Sequence, residues 1–317
     1  MAATRASYKL NTVYSISSMT RVFGTIFAGL LGLAFGSFLN VCLSRWPAGE
    51  SVVSPRSHCR SCGRTLAWWE NVPLVSWLVL RGRCRSCGAW ISWRYPLVEL
   101  AVGVLWAAVA WRILTSPTDL ATSDLLWAVS IYGLSQMILL WLLVALAVLD
   151  FENLWLPNKI TIPGTLLGFA ATVMYASVNS KRVFAFYGAL ELRSHFIWHA
   201  VGQRLLAILA TAGLILLIRW TYWLIRRREG IGLGDAKLMA MLAAWLGFPG
   251  ALLSFAIGVV LGAIVALVVL LLPSARKNNE GWAATKLPLG SFLCVGGIVC
   301  SLWGEQIIYA YLRWAGF

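Results

Sequence analysis

The chain is written in long uncharged stretches separated by short polar ones. Val22–Ser44, Leu125–Leu149 and Ile160–Ser180 contain no charged side chain. At ~1.5 Å per helical residue, each is long enough for the ~30 Å hydrocarbon core of a bilayer. Weaker apolar runs cover Pro96–Leu114, Val201–Ile225 and Leu287–Leu312. The uncharged run Leu238–Ala275 is too long for one helix, and Gly247-Phe248-Pro249-Gly250 inside it is a turn signal. Its first half is short, so that helix either stops partway or begins before Leu238. The pattern predicts an all-α polytopic membrane protein with about eight transmembrane helices.

Composition agrees and narrows the class. Of the 317 residues, 60% are hydrophobic and 12% charged, with 18 Trp, 13 Phe and 9 Tyr. A soluble domain has roughly 45–50% and about 25%. A soluble globule, a coiled coil and a disordered chain are all excluded. The net charge of +14 fits basic loops beside a membrane better than a nucleic-acid surface, so lipid is an expected partner and nucleic acid is not. The segment ahead of Arg21 is polar and mixed, and the first apolar run exceeds a signal-peptide h-region, so no cleavable secretory signal is expected.

Lys and Arg orient the spans. With the N-terminus outside, the inner loops 44–95, 151–159, 226–237 and 274–287 hold 16 Lys and Arg, against 7 in the outer segments. The positive-inside rule favours that orientation, although Lys181, Arg182 and Arg193 oppose it mildly. The expected organisation is an N-terminal segment 1–21, a first transmembrane helix 22–44, a cytoplasmic zinc-binding domain 45–95 and a multi-helix membrane domain 96–317.

The first inner loop is too small for a comfortable core without a staple. It holds Cys59-Arg60-Ser61-Cys62-Gly63 and Cys84-Arg85-Ser86-Cys87-Gly88, two C-x2-C pairs separated by the segment 63–83. Each pair reads as a zinc knuckle, whose tight turn aims two sulfurs at one ion. Four thiolates make a closed tetrahedral Zn²⁺ site, which is structural because no position is left for water. The rival readings are two disulfides or four free thiols, and a reducing inner compartment disfavours the first. Cys42, Cys294 and Cys300 lie in apolar runs and read as small core residues. His58 adjoins Cys59 but reads as facing water. His195 and His199 read as interfacial.

Two carboxylates stand out at membrane depth. Asp150 directly follows Leu125–Leu149 and precedes the break Leu156-Pro157. Asp235 lies in Gly230-Ile231-Gly232-Leu233-Gly234-Asp235-Ala236-Lys237. In isolation either is an interfacial carboxylate at a helix end, paired with Lys237 or Lys159. Alternating glycines before Asp235 would let another backbone or a substrate come close. Two aspartates within a few Å share a proton, leaving one base and one acid. Such a pair can activate water and protonate a leaving amine. Glu70 and Glu99 fit either a contact to a basic leader or amine, or an ion pair with a loop arginine.

These residues resemble those of the type IV prepilin peptidases, the leader peptidase/N-methyltransferases of bacterial pilus and type II secretion systems. The likeness runs through Gly36-Ser37-Phe38-Leu39-Asn40-Val41, Ser57-His58-Cys59, Glu70-Asn71-Val72-Pro73-Leu74-Val75-Ser76-Trp77 and Arg81-Gly82-Arg83-Cys84. It continues through Ile91-Ser92-Trp93-Arg94-Tyr95-Pro96-Leu97-Val98-Glu99, Asp150 with Leu156-Pro157, and Gly232-Leu233-Gly234-Asp235-Ala236-Lys237. The GxGD element together with the four-cysteine loop makes the resemblance specific.

The resemblance implies an inner-membrane GxGD-type aspartic protease that acts on the cytoplasmic side. It implies Asp150 and Asp235 as the catalytic pair, and Cys59, Cys62, Cys84 and Cys87 as zinc ligands. The implied substrates are prepilins or pseudopilins, cut after a Gly that ends a short basic leader. The new N-terminus would then be methylated from S-adenosylmethionine. Two departures stand out. Asn158 replaces the Asp of the usual Leu-Pro-Asp, and Leu287-Pro288-Leu289-Gly290-Ser291-Phe292 replaces the usual Pro-Phe-Gly-Pro-Phe. A rival from another class is a proton-coupled transporter with a carboxylate relay, which predicts acidic residues near mid-span. A non-enzymatic scaffold that binds pilins is a second.

Overall fold

The computed structural model describes residues 2–115, 123–187, 190–228, 232–271 and 287–316, with the side chains of 2–17, 123–126, 181–187 and 190–194 excepted. Lys181, Arg182, Arg193, Gly230, Ile231 and the basic loop 274–286 therefore lie outside the described backbone or side chains. Among the described residues the chain is helical, and its only β features are two isolated bridges. Seven helices are long and apolar enough to cross a membrane. They fall into two compact units, one within residues 1–119 and one within 120–317.

In the first unit, α1 (Ala2–Arg45) packs antiparallel on α3 (Arg94–Thr115). The helix carrying the first span already starts at Ala2, with its membrane-crossing part at Ser18–Arg45. The two backbones meet at Gly36, where a Cβ would stand 2.7 Å from Glu99 Cα, so no larger residue fits. Between these helices lie a 3-10 turn, Trp68–Asn71, and a one-turn helix α2, Val75–Val79.

The second unit contains α4 (Ser123–Asn153), α5 (Asn158–Tyr187), α6 (Leu190–Arg226), α7 (Leu233–Leu271) and α8 (Leu289–Trp314). α4 stops where Leu154 turns left-handed, with φ 50°. Trp155, Leu156 and Pro157 then connect to α5, because Pro157 cannot continue a helix from its N-terminal side.

The long run 233–271 is two helices. Gly247 leaves helical geometry at φ 75°, a value that suits glycine. Neighbours along α8 show that the chain reverses there. Leu242 lies against Gly297 and Gly250 against Cys300, but farther on Ser254 meets Gly296 and Gly258 meets Leu293. The first helix therefore runs parallel to α8 and the second antiparallel. This is the turn expected at 247–250, and counting both arms brings the long apolar helices among the described residues from seven to eight. The first arm begins at Leu233 and is about 14 residues, or ~21 Å, shorter than a ~30 Å hydrocarbon core. Arg204 of α6 donates to Ala243 O at 3.2 Å, which supplies a cation and a donor to the carbonyl end of that arm.

Candidate active site and metal centre

Asp150 occupies the last turn of α4 and is 6% exposed. A helix C-terminus is the wrong end for a negative charge, so compensation must come from elsewhere. It comes from the opposite end of α8. The Ser291 N–H donates to Asp150 Oδ2 at 2.7 Å and the Ser291 hydroxyl lies 3.1 Å from the same oxygen. The approach depends on Gly290, whose Cβ would lie 2.9 Å from both Asp150 Cγ and Oδ2.

Asp235 stands in the first turn of α7 and is 8% exposed. Its Oδ2 accepts the Gly232 N–H at 3.1 Å, the third-position carboxylate reaching back over the helix start. Asp235 lies within Coulombic reach of Asp150, and the buried Cys294 is within reach of both. Leu156 lies against Gly234, next to Asp235, on one side and against Gly290, the neighbour of Asp150, on the other. The end of α4 and the beginnings of α7 and α8 thus converge on two buried carboxylates. Lys237 does not pair with either; its Nζ donates to Asn158 Oδ1 at 2.7 Å.

The four loop cysteines form a second centre. Cys59, Cys62, Cys84 and Cys87 each offer a sulfur within 4.8 Å of the others. The two knuckles repeat one geometry. The N–H of Gly63 bonds Cys59 O and the N–H of Gly88 bonds Cys84 O, at 2.8 and 2.9 Å, with φ of 72° and 67° at the glycines. The bridges His58↔Thr65 and Arg83↔Trp90 close the two turns. Four sulfurs ~2.3 Å from one ion lie about 3.8 Å apart in a tetrahedron. The Cys59 and Cys87 sulfurs are 3.8 Å apart, so the cluster could hold one tetrahedral metal ion. Cys59 is lowered to about 6, first by the Cys62 N–H and then by that of Ser61. The Ala89 N–H lowers Cys87, yet desolvation and the other three thiols push it up to about 11. A fourth thiolate is costly until a cation arrives. His58 is exposed and stays outside the cluster.

Two descriptions of known families match the chain. The "Bacterial Peptidase A24 N-terminal domain" covers residues 30–113 and the "Type IV leader peptidase family" covers 137–267. A protein of Pseudomonas aeruginosa named prepilin leader peptidase/N-methyltransferase is 33% identical over 313 residues, covering 91% of this chain and 93% of its own. This chain belongs to the type IV leader peptidase family. Proteins of the same name from Pseudomonas putida, 30% identical over 96% of this chain and all of theirs, and from Myxococcus xanthus, 38% over 80% and 67%, are also similar. No solved structure matches the chain.

The two family regions divide the centres between them. The A24 N-terminal region contains the four cysteines, and the leader peptidase region contains Asp150 and Asp235. The transporter reading is not supported. The family match points away from it, and the acidic pair lies at helix ends, not at mid-span. Of the two glutamates left open, Glu70 is ion-paired with Arg64 and Glu99 is not. Cys42, Cys294 and Cys300 are buried, as small core residues should be. Sequence reasoning missed the role of Ser291. The signal available was Pro288 followed by Gly290 just before an apolar run, a helix start with free N–H groups.

Proposed function

We propose that this protein removes the short basic leader from type IV prepilins or type II secretion pseudopilins, using Asp150 and Asp235 as an aspartic pair. The observation that carries this reading is the convergence of three helix ends on two buried carboxylates. One aspartate accepts a proton from the attacking water. Its partner donates a proton to the nitrogen released when the peptide C–N bond breaks. Gly232 and Gly234 let the extended substrate approach. Cys59, Cys62, Cys84 and Cys87 hold a structural Zn²⁺, for which the sulfur spacing is suited. Methylation of the new N-terminus from S-adenosylmethionine is proposed by the likeness to the N-methyltransferases alone. The distribution of Lys and Arg supports an inner-membrane protein with both centres at the cytoplasmic side.

The test is an in vitro reaction in detergent with a prepilin from the same genome, read by mass spectrometry. Wild type should remove the leader, and Asp150→Asn or Asp235→Asn should not, at equal protein level. A gain of ~14 Da on the product with S-adenosylmethionine present would mark methyl transfer. Retained cleavage in either Asn variant would sink the aspartic pair.

A further inference from the structure

Glu99 is a buried carboxylate that the leader-cleavage reading does not use. It lies early in α3 and is 7% exposed. Its Oε2 accepts the Leu74 N–H at 2.8 Å, and the Ser37 hydroxyl is a second donor. Neither carries charge. Arg64 is paired with Glu70. The Arg94 guanidinium on the same helix reaches Ser44 Oγ at 3.0 Å, and that of Arg45 reaches Ser51 O and Pro55 O. A carboxylate at membrane depth without a cation marks a functional site more often than a structural one.

A second acceptor lies one turn away. Asn40 is 2% exposed. Its Nδ2 donates to Tyr95 O at 2.9 Å, which fixes the direction of the amide. Its Oδ1 is then buried without a donor. Asn40 follows Ser37 by three residues on α1, and Tyr95 precedes Glu99 by four on α3. Asn40 faces Tyr95 and Ser37 faces Glu99, so the orphaned oxygen and the carboxylate lie on successive turns of one helix pair. Two buried acceptors, one of them a carboxyl group, suit a compact cation with several N–H donors.

We infer that Glu99, Ser37 and Asn40 form a subsite for a primary ammonium group. The inference rests on the proposed function for its two sources, the freed α-ammonium of a processed pilin and the α-ammonium of S-adenosylmethionine.

The test is binding, which needs no turnover, on the full-length protein in detergent by titration calorimetry. One arm compares a Phe-initiated mature-pilin peptide with its N-acetyl twin. The other compares S-adenosylmethionine with an analogue lacking the α-amino group. A charge-assisted bond lost from a buried site weakens binding about tenfold or more. Wild type should prefer the free ammonium by that factor in at least one arm, and that arm names the source. Glu99→Gln keeps an acceptor for Leu74 and should abolish the preference while the protein elutes from size exclusion as wild type does. Equal binding of both ligands in both arms by wild type, or a preference that survives in Glu99→Gln, overturns the inference. Absence of cleavage by wild type would instead remove the proposed function and leave the binding result standing.

Discussion

Gly290→Ala should separate catalytic geometry from stability. A Cβ at this position would lie 2.9 Å from Asp150 Cγ, 2.9 Å from Asp150 Oδ2 and 2.9 Å from Leu156 Cδ1. Carbon atoms settle at ~3.5–4.0 Å, so the overlap is about 0.6–1 Å on two sides. Neither neighbour has slack: Ser291 holds Asp150 Oδ2, and Leu156 rests against Gly234. Overpacking of this kind costs about 1–3 kcal/mol, which many domains survive. Displacing a reacting carboxylate by ~1 Å costs about 10²-fold in rate. Gly296, six residues on, is the control. A Cβ there would clash with Ser254 O, away from the aspartates. Gly296→Ala should lose more stability, yet its folded fraction should cleave normally. The assay is the initial rate of leader removal per folded enzyme, with folding scored by size exclusion and thermal unfolding in detergent. Gly290→Ala cleaving within threefold of wild type while folded would refute the reasoning.

Three further outcomes are expected. Purified protein should contain one zinc per chain by elemental analysis; alanine at Cys59, Cys62, Cys84 or Cys87 should remove it, and His58→Ala should not. Glu70 is held below the usual carboxylate range, first by the Ala67 N–H and then by Arg64. Its contribution is present above the unfolded value of about 4.3 and disappears as pH falls through the lower folded value. Glu70→Gln should thus speed amide exchange in the loop at pH 7, with the difference from wild type closing below about pH 4. Asp150→Asn and Asp235→Asn should each unfold no lower in temperature than wild type, since each removes a buried carboxyl group that ionises only at a desolvation cost while an amide oxygen still accepts the Ser291 or Gly232 N–H. A drop of several degrees in both would mean that the charges hold the site together.

What could be read from the chain depended on how local the cause was. The break at Gly247 was legible because Gly and Pro punctuate a helix wherever they stand. The cysteine cluster was legible because each knuckle closes within one short turn. The start of the hairpin at Leu233 was not, because Asp235 and Lys237 end the uncharged run. Both prove to be polar side chains serving the helix start, one on the Gly232 N–H and one on Asn158. The fates of Glu70 and Glu99 show the same division. Arg64 is a near neighbour of Glu70 along the chain, whereas Leu74 and Ser37 reach Glu99 from the loop and from another helix. The bond from Ser291 to Asp150 spans 141 positions, and no spacing rule reaches that far.

The convergence of helix ends also explains how two carboxylates persist at membrane depth without a basic partner. Each helix start presents about half a positive charge and each helix finish about half a negative one. Here α7 and α8 begin beside the aspartates and α4 ends there, so the backbone supplies a small positive excess. Lys237 is turned to Asn158. That excess falls well short of two full charges. It suits one ionised carboxylate and one that keeps its proton, which is the starting state that the proposed aspartic pair requires. The same arithmetic accounts for the short first arm of α7. About 14 residues closed by Arg204 are enough to present a helix start beside the aspartates.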